Sequence, residues 1–420
     1  MTDARTGLQE VRRLIDADEP AAALAILEPL VAERPEHGLT RFFRARARLA
    51  TGDLDGARAD ADAAAVLMPD RSAADRVLAR IEVAQARTDS ATLVAQAAAD
   101  VAIVDSGHLA ARNAAPTEDV RAAVQRLAAL DLVGDWTSDP TLAKIAYFHH
   151  AVDPVRALAS YDPHLIGVSA DFGYITWPRR IQEHVRGRSV IDVGCGFGGF
   201  GVGFLVAGAT SYLGLDPAMD LDSTSARNKR LRERADMGIT PRAIAENLPA
   251  VRLFRGKSED LSFDERFDTI SLHNVTEHLA DPERVLAGLV ALCKEDTRLV
   301  FHHHNYYCWN GHHDPPVQPA QLDPASAEHQ QVVDWRHIDQ LPHLPAGHRY
   351  LTTLNRIRLD ELRELTERYF VVEQWEEISS SAATLARLTP EVLERVRRTM
   401  PDLTERELSV NAVLCVATPR

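Results

Sequence analysis

The second half of the chain alternates short apolar runs with amphipathic stretches. Apolar runs of about four to eight residues are typical of buried strands, and the stretches between them have helical spacing. This alternation predicts an α/β domain with a parallel sheet covered by helices. The predicted strands span residues 188–193, 211–215, 250–254, 267–272, 297–302, 369–376 and 409–417.

The first hundred residues have a different pattern, which is Ala-rich and helical throughout. Pro35 and Pro69 lie 34 residues apart, and the same shift places Ala23 on Ala57. A helix-turn-helix period of about 34 residues, with small residues at the helix crossings, resembles tetratricopeptide repeats. A plain Ala-rich bundle is the alternative. Such repeats bind peptides or self-associate, so we expect a protein partner or a second copy here. A third, weaker copy of the repeat is predicted at Ala91, Ala95 and Ala98.

A helical connector joins these two regions. Residues 117–132 carry the apolar stripe of an amphipathic helix, and Asp-Pro pairs at 153–154 and 162–163 interrupt the stretch that follows. The long, mostly irregular segment at 303–357 lies inside the α/β domain, and loops of this length are usually functional. The predicted organisation is a repeat-like helical domain at 1–105, a connector or lid at 106–180, and an α/β domain at 181–420 with a substrate-binding insertion at 303–357.

Composition excludes several classes of protein. With 45% hydrophobic and 26% charged residues, the 420-residue chain is ordinary for a globular protein. No apolar run approaches the roughly 18 residues of a membrane span, and the polar N-terminus has no signal core, so we expect a cytoplasmic protein without a membrane partner. The four cysteines form no C-x-x-C pair, so the sequence indicates neither a disulfide framework nor a cysteine zinc site. The net charge of -14 disfavours nucleic acid as partner, and the basic cluster at 227–234 is interpreted as a solvated helix face.

The first predicted strand ends in a motif that indicates a cofactor. Asp192 is followed by a run of glycines and then by the start of a helix at Phe200. Glycines let the backbone approach a ligand, and a helix N-terminus faces it. The spacing of Gly194, Gly196 and Gly199 also fits a dinucleotide fold. The carboxylate of Asp192 would repel the pyrophosphate of NAD, however, and it suits the ammonium and sulfonium groups of S-adenosylmethionine.

Residues from about 165 to 417 resemble the class I S-adenosylmethionine-dependent methyltransferases. Val190–Gly196 is similar to the first motif of that family, and Tyr212–Asp216 to the second, whose carboxylate binds the ribose. Gly256–Asp260 lies where the family contacts the adenine, and Phe267–Asn274 resembles the fourth strand, which ends beneath the methionine part of the cofactor. The resemblance implies a Rossmann-like seven-stranded fold with an antiparallel last strand. The cofactor-binding residues that it implies are Asp192, Gly194, Gly196, Gly198, Asp216, Ser258, Glu259, His273 and Asn274.

A cluster of histidines and aromatic residues follows the fifth strand, at the carboxyl edge where open α/β sheets bind ligands. Methyl transfer to oxygen needs a proton acceptor, and histidine is largely neutral at physiological pH because its ordinary pKa is about 6.5. We therefore predict His304 as general base or metal ligand, with His313 and His278 as further catalytic candidates. The residues predicted to bind the acceptor are Tyr174, His303, Tyr306, Trp309 and Trp335.

The segment from Asn274 to His278 resembles the Glu-x-x-Glu-His element of metal-assisted O-methyltransferases of ubiquinone biosynthesis and of small-RNA 2'-O-methyltransferases. Here Asn274 replaces the first glutamate, which removes one charge and argues against a tightly bound Mg²⁺. Many class I enzymes carry a Glu-His pair at this place without a metal. The metal ligands that the resemblance implies are Glu277, His278 and His304.

These observations favour an O-methyltransferase that acts on a small hydroxylated acceptor, such as a sugar or a natural-product scaffold. The alternatives are an N-methyltransferase of small molecules and a non-catalytic adaptor in which the repeats recruit a partner. Methylation of RNA is disfavoured by the acidic balance of the chain.

Overall fold

The computed structural model describes residues 4–68, 71–258 and 264–420. Two compact units are present. The first comprises the described residues up to Ala99 together with Asp131–Trp136, and the second comprises Asp100–Leu130 and Thr137–Arg420. Most of the predicted connector at 106–180 therefore belongs to the unit that contains the sheet.

The first unit is helical, as predicted. Its helices pack in sequence order through small residues, since Ala23, Ala47, Ala45, Ala57 and Ala61 are all fully buried at the crossings. The helices are α1 (Ala4–Asp16), α2 (Pro20–Glu33), α3 (Gly38–Thr51), α4 (Leu54–Leu67) and the first part of α5 (Ser72–Asn113).

The prediction of a third repeat copy is wrong. A repeat needs two helices joined by a turn, whereas α5 is one continuous helix of 42 residues. Ala91, Ala95 and Ala98 lie on this one helix, and Ala-rich sequence without Pro or Gly favours its continuation. The assignment of the first two copies as tetratricopeptide repeats stays a prediction, and Pro69 lies outside the described residues.

Short helices precede the sheet in the second unit. The Asp-Pro pairs that were interpreted as breaks begin helices, because each aspartate caps the helix whose first residue is the proline. Asp162 accepts hydrogen bonds from the amides of His164 and Leu165, for example. These helices are α6 (Glu118–Ala129), α7 (Pro140–His150), α8 (Pro154–Ala157), α9 (Pro163–Asp171) and α10 (Thr176–Arg180).

All seven predicted strands are confirmed, and they form one mixed sheet in the order β5-β2-β1-β6-β7-β9-β8. The first five strands of this order run parallel, whereas β9 is antiparallel to both β7 and β8. The strands of the sheet are β1 (Ser189–Val193), β2 (Ser211–Asp216), β5 (Val251–Arg255), β6 (Phe267–His273), β7 (Cys293–His304), β8 (Phe370–Ser379) and β9 (Val410–Pro419). The chain order reverses at β1, where ligands of open α/β sheets bind.

A separate hairpin follows β2 and corrects one prediction. It consists of β3 (Ser225–Asn228) and β4 (Glu233–Asp236), so the basic cluster at 227–234 is a hairpin and not the face of a helix. The hairpin is attached by the amide of Lys229, which donates to the carbonyl oxygen of Phe172 over 2.8 Å.

Helices cover the sheet, and the core lies between them and the strands. The helices that pack on the strands include α11 (Phe200–Val206), α12 (Pro241–Asn247), α13 (Pro282–Leu289) and α17 (Leu359–Tyr369). The short helices α18 (Ala382–Leu385), α19 (Pro390–Thr399) and α20 (Glu405–Ser409) lie between β8 and β9 in the chain. Across the described ranges, no helix is both long and apolar enough to cross a membrane.

The insertion at 303–357 is more ordered than the sequence indicates. It contains the short helices α14 (Ala327–Val332), α15 (Arg336–Gln340) and α16 (Arg349–Thr352). Its aromatic residues form a core of their own with α19, because Trp309 and Trp335 pack with Val396 in one buried cluster. The insertion is therefore a small folded layer over the carboxyl edge of the sheet.

Candidate functional site

The glycine loop between β1 and α11 depends on the absence of side chains. Gly194, Gly196 and Gly198 all have positive φ angles, of 75°, 62° and 85°. A Cβ atom on Gly194 would lie 2.5 Å from Val275, whereas one on Gly196 would meet no atom within 4 Å. Gly194 is thus required by packing, and Gly196 leaves its backbone open to a ligand.

Asp192 lies beneath this loop, almost fully buried, with 1% of its surface exposed. Tyr212 Oη and Ser271 Oγ each donate to its carboxylate over 2.9 Å, and Trp177 Nε1 donates to Ser271 Oγ over 3.0 Å. Burial raises the pKa of Asp192 to about 7 in spite of these donors. A nearby cation would restore its ionised form.

Asp216 ends β2 next to the loop and holds it in place. One carboxylate oxygen accepts from the amide of Gly196 over 2.9 Å, and the other accepts from the amide of Ala218 over 2.7 Å. Each oxygen retains a further lone pair, so the carboxylate can still accept from ribose hydroxyls.

Two cavities meet at this place. The first, called the polar cavity, has a volume of about 370 Å³, and the second has a volume of about 390 Å³. Both are lined by Gly194, Asp216 and Asn274. The second cavity also contains Ser258 and the apolar side chains of Val275 and Leu279, which suit a flat base. Glu259 lies outside the described residues.

The predicted cofactor residue His273 lines the polar cavity and stacks on Trp177, with ring centroids 4.6 Å apart. Its Nδ1 is buried without a hydrogen-bond partner among the described residues. Burial and the charge of Lys229 hold the pKa of His273 well below its usual range, so the ring is neutral.

Tyr174, predicted for the acceptor pocket, also lines the polar cavity. Its ring lies against Gly199, where a Cβ atom would approach it to 2.7 Å, and it contacts Phe200 edge to face. The structure therefore places Tyr174 on the glycine loop, in the cavity that Asp192 and Asp216 share.

The sequence interpretation missed the basic wall of the polar cavity. Arg227, Lys229 and Arg234 of the hairpin β3–β4 line this cavity together with Asp192 and Asp216. Lys229 Nζ lies 5.4 Å from the ring centroid of Phe200, and desolvation lowers the pKa of this amine. The signal in the sequence was the density of cations at 227–234, which helical spacing assigned to solvent.

His302 is a second residue that the predicted site lacked. Its Nδ1 lies 2.6 Å from Oδ1 of Asn274, so Nδ1 carries the proton and Nε2 is left as an acceptor. Its ring centroid lies 5.7 Å from that of His273. Burial, together with the charge of Arg180, lowers the pKa of His302 to about 4.

The predicted catalytic and metal residues fall into two groups. Glu277, His304 and His313 come together, with ligand atoms that all lie within 4.8 Å of one another. His278 is not a member of this ligand group, and its Nδ1 donates to the carbonyl oxygen of Thr353 over 2.8 Å. Its ring contacts His313 edge to face at 5.1 Å.

The remaining acceptor residues do not lie in an open pocket. Tyr306, Trp309 and Trp335 have at most 1% of their surface exposed and pack in the core of the insertion. Trp335 Nε1 donates to the carbonyl oxygen of Tyr307 over 3.1 Å. His303 is buried as well, and its Nδ1 lies 2.9 Å from Thr276 Oγ1. In this structure these side chains contribute to packing, and their role in binding the acceptor stays a prediction.

The residues of the two cavities fit S-adenosylmethionine. The open backbone at Gly196, the lone pairs of Asp216 and the apolar second cavity suit an adenosine group. In the polar cavity, buried Asp192 and exposed Lys229 are a charge pair of the kind that an amino-acid group requires.

The chain was compared with protein families, curated proteins and solved structures. Residues 174–369 match the family model described as a methyltransferase domain. The comparison with curated proteins returned no match. Solved structures similar to the chain include an S-adenosylmethionine-dependent methyltransferase from Mesorhizobium loti, with 18% identity over 58% of this chain and 97% of that chain and a TM-score of 0.34.

Two further structures are similar at the same level. A TehB-like S-adenosylmethionine-dependent methyltransferase from Corynebacterium glutamicum has 18% identity over 58% of this chain and 86% of that chain, with a TM-score of 0.30. A geranyl diphosphate methyltransferase in complex with S-adenosylmethionine has 15% identity over 59% and 85%, with a TM-score of 0.34. Residues 174–369 of this chain are thus similar to a methyltransferase domain.

Proposed function

We propose that the chain transfers a methyl group to a hydroxyl oxygen of a small acceptor, such as a sugar or a natural-product scaffold. S-adenosylmethionine, when bound, supplies an electrophilic methyl group on a sulfonium cation. The residues around Asp216 and Asp192 bind and orient the cofactor, and His302 receives the proton of the acceptor hydroxyl at Nε2.

The observation that carries this proposal is the hydrogen bond between His302 Nδ1 and Asn274 Oδ1. It fixes the tautomer in which Nε2 is unprotonated, as a proton acceptor must be. Asn274 also lines both cavities, so the base lies next to the residues that hold the cofactor. An amine acceptor would not need such a base, and for this reason the arrangement favours oxygen.

His302 replaces His304 in the role of base. The Nδ1 of His304 is engaged with His313 at 2.7 Å, and its Nε2 lies 3.5 Å from Cys308 Sγ. Both ring nitrogens of His304 therefore have partners within the protein. His278 donates its Nδ1 proton to Thr353, and only its Nε2 could accept.

A small acceptor agrees with the charge of the chain. At a net charge of -14 a long polyanion would be repelled, and the cations at Arg227, Lys229 and Arg234 face the polar cavity. Intact glycine and aspartate positions of the cofactor site favour an enzyme over an adaptor.

The test is methyl transfer by the purified full-length chain from labelled S-adenosylmethionine to two panels, one of hydroxylated compounds and one of matched amines. We expect labelled O-methyl ethers and an equal amount of S-adenosylhomocysteine. Products methylated only on nitrogen would contradict the choice of oxygen. If calorimetry shows no binding of S-adenosylmethionine at millimolar concentration, the chain is not a methyltransferase of this kind. Asp216→Asn is the control for the cofactor site, and it should weaken the binding that the wild-type chain shows.

A further inference from the structure

A second cluster of ligating side chains lies beside the proposed base. It consists of Glu277 after β6, His304 at the end of β7 and His313 in the insertion, whose ligand atoms all lie within 4.8 Å of one another. Two imidazoles and one carboxylate are a donor set that transition-metal ions accept, often with coordination positions left open.

Glu277 is the member of the cluster that most requires a partner. Its side chain is 1% exposed, and its Oε1 has no hydrogen-bond partner among the described residues. Its Oε2 accepts from Thr276 Oγ1 over 3.4 Å, and His303 Nδ1 lies 3.9 Å from the same oxygen. Among the described residues, no lysine or arginine side chain forms an ion pair with this carboxylate, which lies in the interior beside His303 and Thr276. An uncompensated buried carboxylate is costly, and a bound cation would remove that cost.

The two histidines of the cluster already turn their nitrogens toward each other. His304 Nδ1 lies 2.7 Å from His313 Nε2. Two ligands that bind zinc at about 2.0–2.1 Å with tetrahedral angles are separated by about 3.4 Å. The rings therefore need to move apart by only about 0.7 Å to admit an ion. His313 lies in a left-handed backbone conformation, with φ 63°, that directs this loop residue back to the strand end.

Outer partners hold the His304 ring in this orientation. Its Nε2 lies 3.5 Å from Cys308 Sγ, and the thiol donates to Asn310 Oδ1 over 3.1 Å. Asn411 Nδ2 donates to the same amide oxygen over 2.8 Å. Metal-binding histidines are held in this way through the nitrogen that does not touch the ion.

We propose that Glu277, His304 and His313 bind a divalent transition-metal ion that accepts imidazole, of the Zn²⁺ or Fe²⁺ type, and not Mg²⁺. The set differs from the predicted one, since His313 takes the place of His278. Three protein ligands leave coordination positions for oxygens of the acceptor. Only this role at the acceptor rests on the proposed function, because metal binding can be measured without methyl transfer.

The experiment uses the full-length chain and Co²⁺ as a spectroscopic substitute for Zn²⁺. After chelator treatment and dialysis, Co²⁺ is titrated and followed by visible d–d absorption, and Zn²⁺ is measured by competition and by elemental analysis. We expect one ion per chain, with nitrogen and oxygen ligands. Glu277→Gln and His313→Ala should each weaken binding more than about 100-fold, since loss of an outer partner alone costs about 10–100-fold.

Matched controls separate this proposal from its alternatives. His343→Ala removes an exposed histidine elsewhere and should bind the ion like the unchanged chain. His278→Ala should also retain the ion, and loss of binding there would overturn the ligand set in favour of the predicted one. If the wild-type chain and Glu277→Gln bind Co²⁺ equally well, the assignment of the metal site is wrong.

Binding of S-adenosylmethionine, measured on the same samples, shows whether each variant is folded. Metal binding without cofactor binding would refute the proposed function and leave the metal site intact. Cofactor binding without metal binding would refute the metal site and leave the proposed function intact.

Discussion

His302 and Asn274 are joined by two hydrogen bonds at the carboxyl edge of the sheet, one between side chains and one between backbones. His302 Nδ1 donates to Asn274 Oδ1 over 2.6 Å, and the backbone amide of Asn274 donates to the carbonyl oxygen of His302 over 2.8 Å. Asn274 has a φ of 56°, a left-handed conformation that asparagine tolerates better than most residues. The ends of β6 and β7 are thereby coupled through one side-chain pair that lies beside the cofactor cavities.

Replacement of Asn274 tests whether it orients the base. Asn274→Gly removes the amide but keeps the left-handed backbone, whereas Asn274→Ala adds a backbone cost of about 1–2 kcal/mol. With an acceptor found in the screen, we expect Asn274→Gly to lower kcat about 100-fold, the usual effect of a misplaced catalytic group, with little loss in thermal stability.

The control for this prediction is a double-mutant cycle. If Asn274 acts through His302, then Asn274→Gly added to His302→Gln should cause little further loss of kcat. Because Asn274 also lines the cavities, its replacement could weaken cofactor binding as well as misplace the base. Calorimetry with S-adenosylmethionine measures the first effect separately from kcat. Independent, additive losses of kcat would contradict the orienting role.

Gly196 offers a prediction about cofactor binding that is separate from stability. It has a φ of 62° and no atom within 4 Å of an added Cβ, and Gly52 in the first unit shares both properties, with a φ of 85°. Gly196→Ala and Gly52→Ala should therefore lower the free energy of unfolding by a similar amount, about 1–2 kcal/mol.

Only Gly196→Ala should also weaken S-adenosylmethionine, because its new methyl group projects from the loop that lines the polar cavity. Calorimetry and thermal unfolding on both variants give the two readouts. Equal cofactor affinity in both variants would mean that the loop does not contact the ligand.

Much of the fold could be predicted because it is encoded in local periodicity. The central parallel strands β1, β2 and β6 are mostly buried, and a buried strand leaves a continuous apolar signal. The hairpin β3–β4 lacks that signal. Its sequence is dominated by arginines, and its attachment depends on Phe172 and Gly173, about fifty residues earlier, where a Cβ on Gly173 would lie 3.1 Å from Arg230.

The candidate site was only partly accessible from sequence for a similar reason. Glu277 and His313 are 36 positions apart, and nothing local distinguishes His313 from the other histidines of its segment. Its place is set by tertiary packing and by a left-handed turn. Aromatic residues pack in cores and also line ligand pockets, and residue type alone does not tell these roles apart. Trp309 and Trp335 pack in the core of the insertion.

Asp192 predicts how cofactor affinity depends on pH. Burial raises the pKa of this carboxyl to about 7 in the cofactor-free protein, above an ordinary value of about 3.9, against the opposing effect of Lys229 and with the support of Asp216. The folded protein therefore holds this proton more tightly than the unfolded chain does. As the pH rises from the unfolded pKa to about 7, the free energy of unfolding falls, and above pH 7 this loss stays constant. A cationic ligand selects the ionised form, so its binding below pH 7 must release a proton.

We therefore expect the Kd for S-adenosylmethionine to fall by up to about tenfold per pH unit as the pH rises toward 7, and to level off above it. Calorimetry between pH 5.5 and 7.5 keeps the ligand amine protonated, since its pKa is about 7.7–8.0. Asp192→Asn should bind more weakly at pH 7.5 and show a much smaller dependence. A constant Kd for the unchanged chain over this interval would contradict the assignment of Asp192 to the cationic part of the cofactor.

Lys229 gives a prediction for the opposite charge. Its ammonium, on the hairpin wall of the polar cavity, is the group best suited to bind the carboxylate of the cofactor. Lys229→Met should weaken binding of S-adenosylmethionine about tenfold, at the low end of the roughly 1.5–3 kcal/mol of a charged hydrogen bond, because the lysine residue as a whole is exposed even though its amine is desolvated. Arg232→Met removes one charge from the same hairpin at a residue outside the cavity lining, and it should leave the affinity nearly unchanged.

Methylthioadenosine lacks the carboxylate, so its affinity, measured by competition, should be the same in Lys229→Met and in the wild-type chain. An equal loss for both ligands would show that Lys229 supports the shape of the cavity and does not bind the carboxylate.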